Sequence, residues 1–177
     1  SMAVLITGGY GQLGSWLTYQ FAGVGKEVIV LDVVDKNLDY LKEIKDKIRF
    51  IRASVLDFPK LVEVFIRYKD KIEGIIHTVA VTADPSFEGN PHQGLMINLT
   101  GTVNMLELAR LFKIKKFLFA SSGAVYGEVK DNPSELTHPL HPSDLYGASK
   151  VAGELIGQQY EHHYGLDFRS ARLYFFF

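Results

Sequence analysis

Short apolar runs rich in β-branched and aromatic residues alternate along this chain with longer segments of helical periodicity. This alternation is typical of a parallel sheet whose crossover helices cover both faces. Four of the apolar runs are almost continuously apolar, as strands buried on both faces are. We expect one α/β domain over residues 1–177, a doubly wound parallel sheet with ligands beyond the carboxyl ends of its strands. The predicted strands are 3–7, 27–32, 48–53, 74–79, 116–121 and 167–175, and the predicted helices are 12–23, 36–46, 59–70, 92–112 and 144–164.

Charge and composition exclude several classes of partner. Lysine and arginine total 19 and aspartate and glutamate total 20, with the two signs interspersed, so we expect no nucleic-acid or membrane partner. The sequence has no cysteine, which excludes disulfides and thiolate sites, and its six histidines show no metal-ligand spacing, so we expect no metal. The chain enters an apolar strand directly and has no run long enough to span a membrane, which favours a cytoplasmic protein.

A glycine-rich segment, ITGGYGQLG at residues 6–14, follows the first predicted strand and begins the first predicted helix. A tight turn, close approach of a pyrophosphate and close packing of helix on strand each require a residue without a Cβ atom. A plain tight turn is the alternative interpretation. We predict that Gly8, Gly11, Gln12, Leu13 and Gly14 bind the pyrophosphate of a dinucleotide.

Two aspartates follow the second and third predicted strands. Asp32 lies 18 residues after Gly14, where a carboxylate accepts hydrogen bonds from adenosine ribose hydroxyls and repels a 2′-phosphate. This position favours NAD over NADP, although Lys36 lies nearby. Asp57 is predicted either to bind the adenine amino group or to cap the helix that begins near Pro59, or to do both.

A tyrosine and a lysine, Tyr146 and Lys150, lie four residues apart in DLYGASK and therefore share one face of the fifth predicted helix. Two ordinary residues on a solvated face are the alternative. The segment FASSGAVYG ends the fifth predicted strand, so Ser121 and Ser122 lie at the same edge of the sheet as the glycine turn.

Six segments in this order resemble the extended short-chain dehydrogenase/reductases, particularly their NAD-dependent sugar-nucleotide epimerase/dehydratase group. These segments are TGGYGQLG (7–14), Asp32, HTVA (77–80), INLTGTVNMLELA (97–109), SSGAVYG (121–127) and YGASK (146–150). The resemblance covers essentially the whole chain and implies a Rossmann fold with bound NAD. It adds Val79, Ala80, Asn98, Tyr146 and Lys150 to the predicted cofactor contacts, although helix packing explains Asn98 almost as well.

The resemblance also implies a catalytic trio of Ser122, Tyr146 and Lys150. A nearby ammonium lowers the pKa of a phenol, so Lys150 would favour the phenolate of Tyr146 while binding the nicotinamide ribose. Tyr146 would remove a proton from a substrate hydroxyl as hydride leaves for the nicotinamide. Ser122 would orient the substrate oxygen, and Ser121 would support the backbone.

Departures from the family pattern narrow the reaction. Gly123 and Ala124 stand where the 4,6-dehydratases have an Asp-Glu pair, which disfavours dehydration, and Val79 replaces the usual alanine. We therefore predict epimerisation of a nucleotide sugar through a transient keto intermediate. The alternatives are an NAD-dependent dehydrogenase of a small hydroxy or amino-acid substrate and, in this truncated form, a non-catalytic NAD-binding module.

The chain ends at RLYFFF, where the family continues into a substrate-binding domain. We expect this C-terminal domain to be missing from a truncated chain, which leaves the activity of residues 1–177 alone an open question. The resemblance further implies a homodimer formed through the helices at 92–112 and 144–164.

Overall fold

A computed structural model describes residues 1–82, 85–129 and 138–174. Its sheet has six parallel strands in the order β3-β2-β1-β4-β5-β6. The strands are β1 (Ala3–Thr7), β2 (Glu27–Asp32), β3 (Ile48–Arg52), β4 (Ile72–His77), β5 (Lys116–Ser122) and β6 (Asp167–Leu173). The predicted doubly wound sheet is confirmed. Strand order reverses between β1 and β4, and this switch point is where such sheets bind ligands.

Helices cover both faces of the sheet. In chain order they are α1 (Gln12–Gly23), a 3-10 helix (Asp39–Lys47), α2 (Phe58–Tyr68), α3 (Pro85–Gly89), α4 (Pro91–Leu95), a π turn (Met96–Thr100), α5 (Gly101–Leu111), a second 3-10 helix (Gly123–Tyr126) and α6 (Leu145–Tyr164). None of the helices in these three described ranges is both long and apolar enough to cross a membrane.

Several predicted elements differ from the structure in type or extent. The helix expected at 36–46 is a 3-10 helix, in which Leu41 is buried and Leu38 and Ile44, three residues before and after it, pack partly against the same core. Strand β4 begins two residues before the predicted Gly74, because Ile72 pairs with Ala3 ahead of a register shift. Strand β6 ends at Leu173, and residues 175–177 lie outside the described residues.

The core has two apolar layers, one on each face of the sheet. Leu5 and Ile29 pack with Phe65 of α2 and Leu106 of α5 on one face. The alternate strand residues, which include Ile6, pack on the other face against Ala22 of α1. Burying a large apolar side chain stabilises the fold by roughly 1.5–3 kcal/mol. These layers hold the carboxyl ends of β1, β2, β4 and β5 at one edge of the sheet.

Candidate active site

The glycine turn between β1 and α1 is too crowded for side chains. The N–H of Gly8 donates to the carbonyl of Leu31 at 2.8 Å, and the N–H of Gly11 donates to the carbonyl of Gly8 at 2.9 Å. A Cβ atom at Gly14 would lie 1.9 Å from the oxygen of Gly8, and Gly8 itself has a φ of +66°. The first turn of α1 therefore lies directly against the strand end, with its N–H groups available to an anion.

Asp32, at the end of β2, is held by backbone donors. Its Oδ2 accepts from the N–H of Tyr10 at 3.1 Å, and its Oδ1 accepts from Val33 at 2.8 Å and Val34 at 3.3 Å. An ionised carboxylate has about four acceptor positions, so the geometry leaves capacity for a ligand hydroxyl. The contact with Tyr10 fixes the carboxylate relative to the glycine turn.

A cleft of about 290 Å³ lies along this edge of the sheet. It brings together all the predicted cofactor residues except Asp57 and Asn98, and their binding roles remain predictions. The lining residues are Gly8, Gly11, Gln12, Leu13, Gly14, Asp32, Thr78, Val79, Ala80, Thr82, Ala120, Ser121, Tyr146, Lys150 and Leu173. Thr78, Thr82, Ala120 and Leu173 were not predicted, because only the fold shows which side of a strand end faces the cleft.

The two predicted cofactor residues outside the cleft lining have structural contacts. Asp57 caps α2 by accepting from the N–H of Lys60 at 3.1 Å, which is the capping role considered from the sequence. The Asn98 side chain accepts from the N–H of Val81 at 2.8 Å and donates to its carbonyl at 3.0 Å. It also donates to Ser149 Oγ at 3.0 Å, so Asn98 fixes the segment after β4 to α6.

Tyr146 and Lys150 lie on one face of α6, which begins at its N-cap Asp144. Both are buried, with 8% and 4% of their surface exposed. The Lys150 Nζ donates to the carbonyl of Ala120 at 2.8 Å and lies 5.0 Å from the centre of the Phe119 ring. Burial lowers the pKa of Lys150 to about 8. Because both side chains are buried, Tyr146 and Lys150 are not two ordinary residues on a solvated helix face.

The pKa of Tyr146 does not follow the expectation from the sequence. Burial raises it, a hydrogen bond with Ser122 opposes that rise, and the charge of Asp144 adds to it. The charge of Lys150 is not among the causes of this shift, so the expected lowering is absent and desolvation of the phenol dominates its pKa. Ser122 itself accepts from the N–H of Ala124 at 3.1 Å and is not among the cleft-lining residues.

A chain of hydrogen bonds beneath the cleft runs through His77, which is 1% exposed. Thr102 donates its only hydroxyl proton to the carbonyl of Asn98 at 2.7 Å, so it accepts from His77 Nε2 at 3.1 Å. His77 Nδ1 then accepts from the hydroxyl of Thr7 at 2.7 Å, and that hydroxyl accepts from the N–H of Thr78 at 3.1 Å. The imidazole is therefore neutral with its proton on Nε2.

The segment after Ser122 is anchored by a buried ion pair. Arg172 donates from Nε and Nη2 to both carboxylate oxygens of Glu154, at 2.9 and 3.0 Å, and from Nη1 to the Tyr126 hydroxyl at 2.7 Å. The Glu154 side chain is 1% exposed and that of Arg172 is 20% exposed. Of the loop at 123–142 that was expected beside the ligand, residues 130–137 lie outside the described residues.

The potential metal ligands of the described residues do not form a metal site. Among the residues that the structure describes, no group of three or more His, Cys, Asp or Glu side chains is placed to hold an ion. The predicted absence of a metal remains a prediction.

Comparison with known proteins identifies the family of this chain. Residues 4–177 match the NAD dependent epimerase/dehydratase family. UDP-glucose 4-epimerase of Lacticaseibacillus casei is 34% identical over 173 residues, an alignment that covers 98% of this chain and 51% of the relative. The mitochondrial L-threonine 3-dehydrogenase of Bos taurus is 32% identical over 173 residues and is matched over 44% of its length, with 96% of this chain covered.

Among solved structures, UDP-glucose 4-epimerase of Thermus thermophilus in complex with NAD aligns with a TM-score of 0.86 and 32% identity. The alignment covers 97% of this chain and 54% of that one. The chain thus spans about half the length of the curated relatives it matches.

Proposed function

Because the chain belongs to the NAD dependent epimerase/dehydratase family, we propose that it binds NAD and serves the epimerisation of a nucleotide sugar through a transient keto intermediate. One observation carries the proposal. The buried pair Tyr146 and Lys150 lines the same cleft as the glycine turn and Asp32.

The residues of the cleft fit a dinucleotide. At Gly14 a Cβ atom would overlap the oxygen of Gly8, so this turn keeps open a cradle that the pyrophosphate requires. The free acceptor capacity of Asp32 suits the adenosine ribose, and Tyr146 and Lys150 suit the nicotinamide ribose end. When bound, NAD accepts and returns a hydride.

The protein residues would manage the proton. Tyr146 would hold or remove the proton of the substrate hydroxyl, which requires its raised pKa to fall during the reaction. Lys150 carries three N–H donors and uses one on Ala120, so others remain for a ribose hydroxyl and for stabilising a phenolate. Ser122, hydrogen-bonded to Tyr146, would orient the substrate oxygen.

The proposed reaction type depends on the absence of carboxylates at the two positions that follow Ser122. Gly123 and Ala124 offer no carboxylates for loss of water, which favours epimerisation over dehydration. A dehydrogenase that releases its ketone is the second candidate, because L-threonine 3-dehydrogenase of Bos taurus is 32% identical. A non-catalytic NAD-binding module is the third, although the buried Lys150 beside Tyr146 disfavours it.

Assembly and location belong to the same proposal. Leu111 of α5 and Leu155 and Tyr164 of α6 are exposed apolar side chains, which supports a homodimer through these helices. Sedimentation equilibrium would test the dimer. A sequence without cysteine fits a reducing compartment, and we place the protein in the cytoplasm.

The test pairs two tyrosines of α6. Wild type, Tyr146→Phe and Tyr160→Phe are titrated with NAD and NADP by calorimetry, and turnover of UDP-glucose is followed by NMR. Tyr160 is the matched control because its hydroxyl bonds Glu107 and is not part of the cleft lining. We expect Tyr146→Phe to bind NAD no more than about tenfold more weakly but to lose turnover by roughly 10²–10⁴-fold, while Tyr160→Phe keeps both.

The outcomes separate the three candidates. Interconversion of UDP-glucose and its 4-epimer supports epimerisation, and net reduction of NAD with a different alcohol supports a dehydrogenase. Tight binding of NAD without any turnover supports the binding module for this 177-residue form of the chain. Absence of NAD binding by the folded chain would contradict the proposal.

A further inference from the structure

Ser121, near the end of β5, has a buried hydroxyl without a protein partner. The residue is 3% exposed and lines the cleft. Its Oγ has no hydrogen-bond partner among the described residues, and it is the one buried side-chain polar atom in those residues of which this is true. A buried hydroxyl that has lost its water without gaining a partner destabilises a fold, so its presence requires a reason.

The direction of the Ser121 side chain follows from the strand. Phe117 and Phe119 belong to the apolar layer that contains α5, and Ser121 continues their alternation on the same face. The ammonium of Lys150 lies over the Phe119 ring, so α6 covers this face. Ser121 is therefore on the side of β5 where Lys150 and Tyr146 meet the cleft.

Three polar side chains around this end of β5 make hydrogen bonds to groups other than Ser121. Lys150 donates to the carbonyl of Ala120, and Ser122 accepts from Ala124. Arg172, which pairs with Ser121 across β5 and β6, directs its guanidinium at Glu154 and Tyr126. The hydroxyl of Ser121 thus remains available to a molecule in the cleft.

We propose that Ser121 Oγ is a ligand-binding group that hydrogen-bonds a hydroxyl or amide at the nicotinamide-ribose end of the dinucleotide. This inference rests on the proposed function. Strands β2 and β5 are three strand spacings apart, about 14 Å, so Ser121 and Asp32 contact opposite ends of an extended dinucleotide. A hydroxyl both donates and accepts, which suits either of these groups.

The test compares two buried serines that differ in their partners. Ser149 is 2% exposed, donates to the carbonyl of Tyr146 at 2.7 Å and accepts from Asn98. Wild type, Ser121→Ala and Ser149→Ala are compared by thermal melting without ligand and by calorimetric titration with NAD and with ADP. We expect Ser121→Ala to melt no lower than wild type, to bind NAD about three- to tenfold more weakly and to bind ADP unchanged. Ser149→Ala should melt lower.

Each other result overturns the inference. If Ser121→Ala melts lower, as Ser149→Ala does, the hydroxyl is a structural group with a protein partner. If NAD affinity is unchanged, Ser121 does not contact the ligand, while binding by wild type still supports the proposed cofactor. If Ser121→Ala loses as much affinity for ADP as for NAD, Ser121 contacts the adenosine end of the dinucleotide, which contradicts the inference. A wild-type chain that binds no NAD would overturn both proposals.

Discussion

Lys150 and His77 are buried against the same aromatic ring. The Nζ of Lys150 lies 5.0 Å from the centre of the Phe119 ring, and the imidazole of His77 stacks on that ring at 6.3 Å between centres. Burial first, and the charge of Lys150 second, lower the pKa of His77 to about 3. The imidazole therefore stays neutral beside the ammonium, and its two nitrogens keep fixed donor and acceptor roles.

This relationship predicts how stability depends on pH. The pKa of His77 is depressed from 6.5 to about 3 on folding, so between these values the unfolded chain binds more protons. The stabilising contribution is complete above pH 6.5 and is lost as pH falls toward 3. Between pH 6.5 and 4.5, protonation of His77 in the unfolded chain should lower the free energy of unfolding of wild type by roughly 2–3 kcal/mol.

Urea denaturation of His77→Asn checks this prediction. The variant should be less stable than wild type at pH 7.5, because Asn cannot bond both Thr7 and Thr102 in the same geometry. Its free energy of unfolding should then fall less steeply below pH 6.5. His92→Asn is the control, since His92 is exposed and should follow wild type. Parallel curves for His77→Asn and wild type would contradict the prediction.

Two glycines of α1 should respond oppositely to a methyl group. A Cβ atom at Gly14 would lie 1.9 Å from the oxygen of Gly8, whereas one at Gly23 would meet nothing within 4 Å. We expect Gly14→Ala to lose several kcal/mol of stability and its NAD binding, because the turn must open. Gly23→Ala should be neutral or up to about 1 kcal/mol more stable. Thermal melting and NAD titration of both variants measure these effects. If Gly14→Ala melts and binds NAD as wild type does, the turn is not as crowded as the structure indicates.

The carboxylate of Asp32 should determine the preference between the two dinucleotides. In Asp32→Asn the charge-assisted bond to a ribose hydroxyl is lost, so we expect NAD to bind roughly tenfold more weakly or worse. NADP should lose less affinity, since the repulsion of its 2′-phosphate also disappears. Calorimetric titration with both ligands measures the ratio of dissociation constants. Asp35→Asn, in the exposed segment that follows β2, is the control. An unchanged ratio in Asp32→Asn would contradict a role for Asp32 in choosing between the two dinucleotides.

The Glu154 carboxylate should matter more to stability than a surface carboxylate. Replacing it in Glu154→Gln leaves the guanidinium of Arg172 partly buried without its counter-charge, which costs about 3–5 kcal/mol. Glu107→Gln breaks a more exposed pair with Arg110 and should lose much less. Chemical denaturation of both variants provides the comparison. Equal losses would show that burial does not strengthen the inner pair.

The sequence allowed the sheet and the glycine turn to be predicted because their signals are local. The bounds of β1, β2 and α1 agree with prediction, since apolar runs and a glycine at each turn mark them directly. The helix expected at 92–112 carries a π turn at Met96–Thr100, which hydrophobic periodicity does not reveal. That turn contains Asn98, so its contacts with Val81 and Ser149 were not foreseen.

The rest of the site depends on contacts between distant segments. The raised pKa of Tyr146 depends on how deeply α6 buries the phenol, and spacing to Lys150 could not supply that. Ser121 was assigned to backbone support because a serine pair at a strand end does not reveal which hydroxyl has a partner. Asp57 caps α2 through the N–H of Lys60, and its binding of the adenine amino group remains a prediction.

The hydrogen-bond chain beneath the cleft has a consequence for synthesis of the protein. It joins Thr7 to His77, His77 to Thr102 and Asn98 to Ser149, across 70, 25 and 51 residues. Contacts between such distant residues form only after the intervening chain is available and its loops have closed. On the ribosome, the early segment with the glycine turn must therefore wait for α6 to emerge before the floor of the cleft is complete.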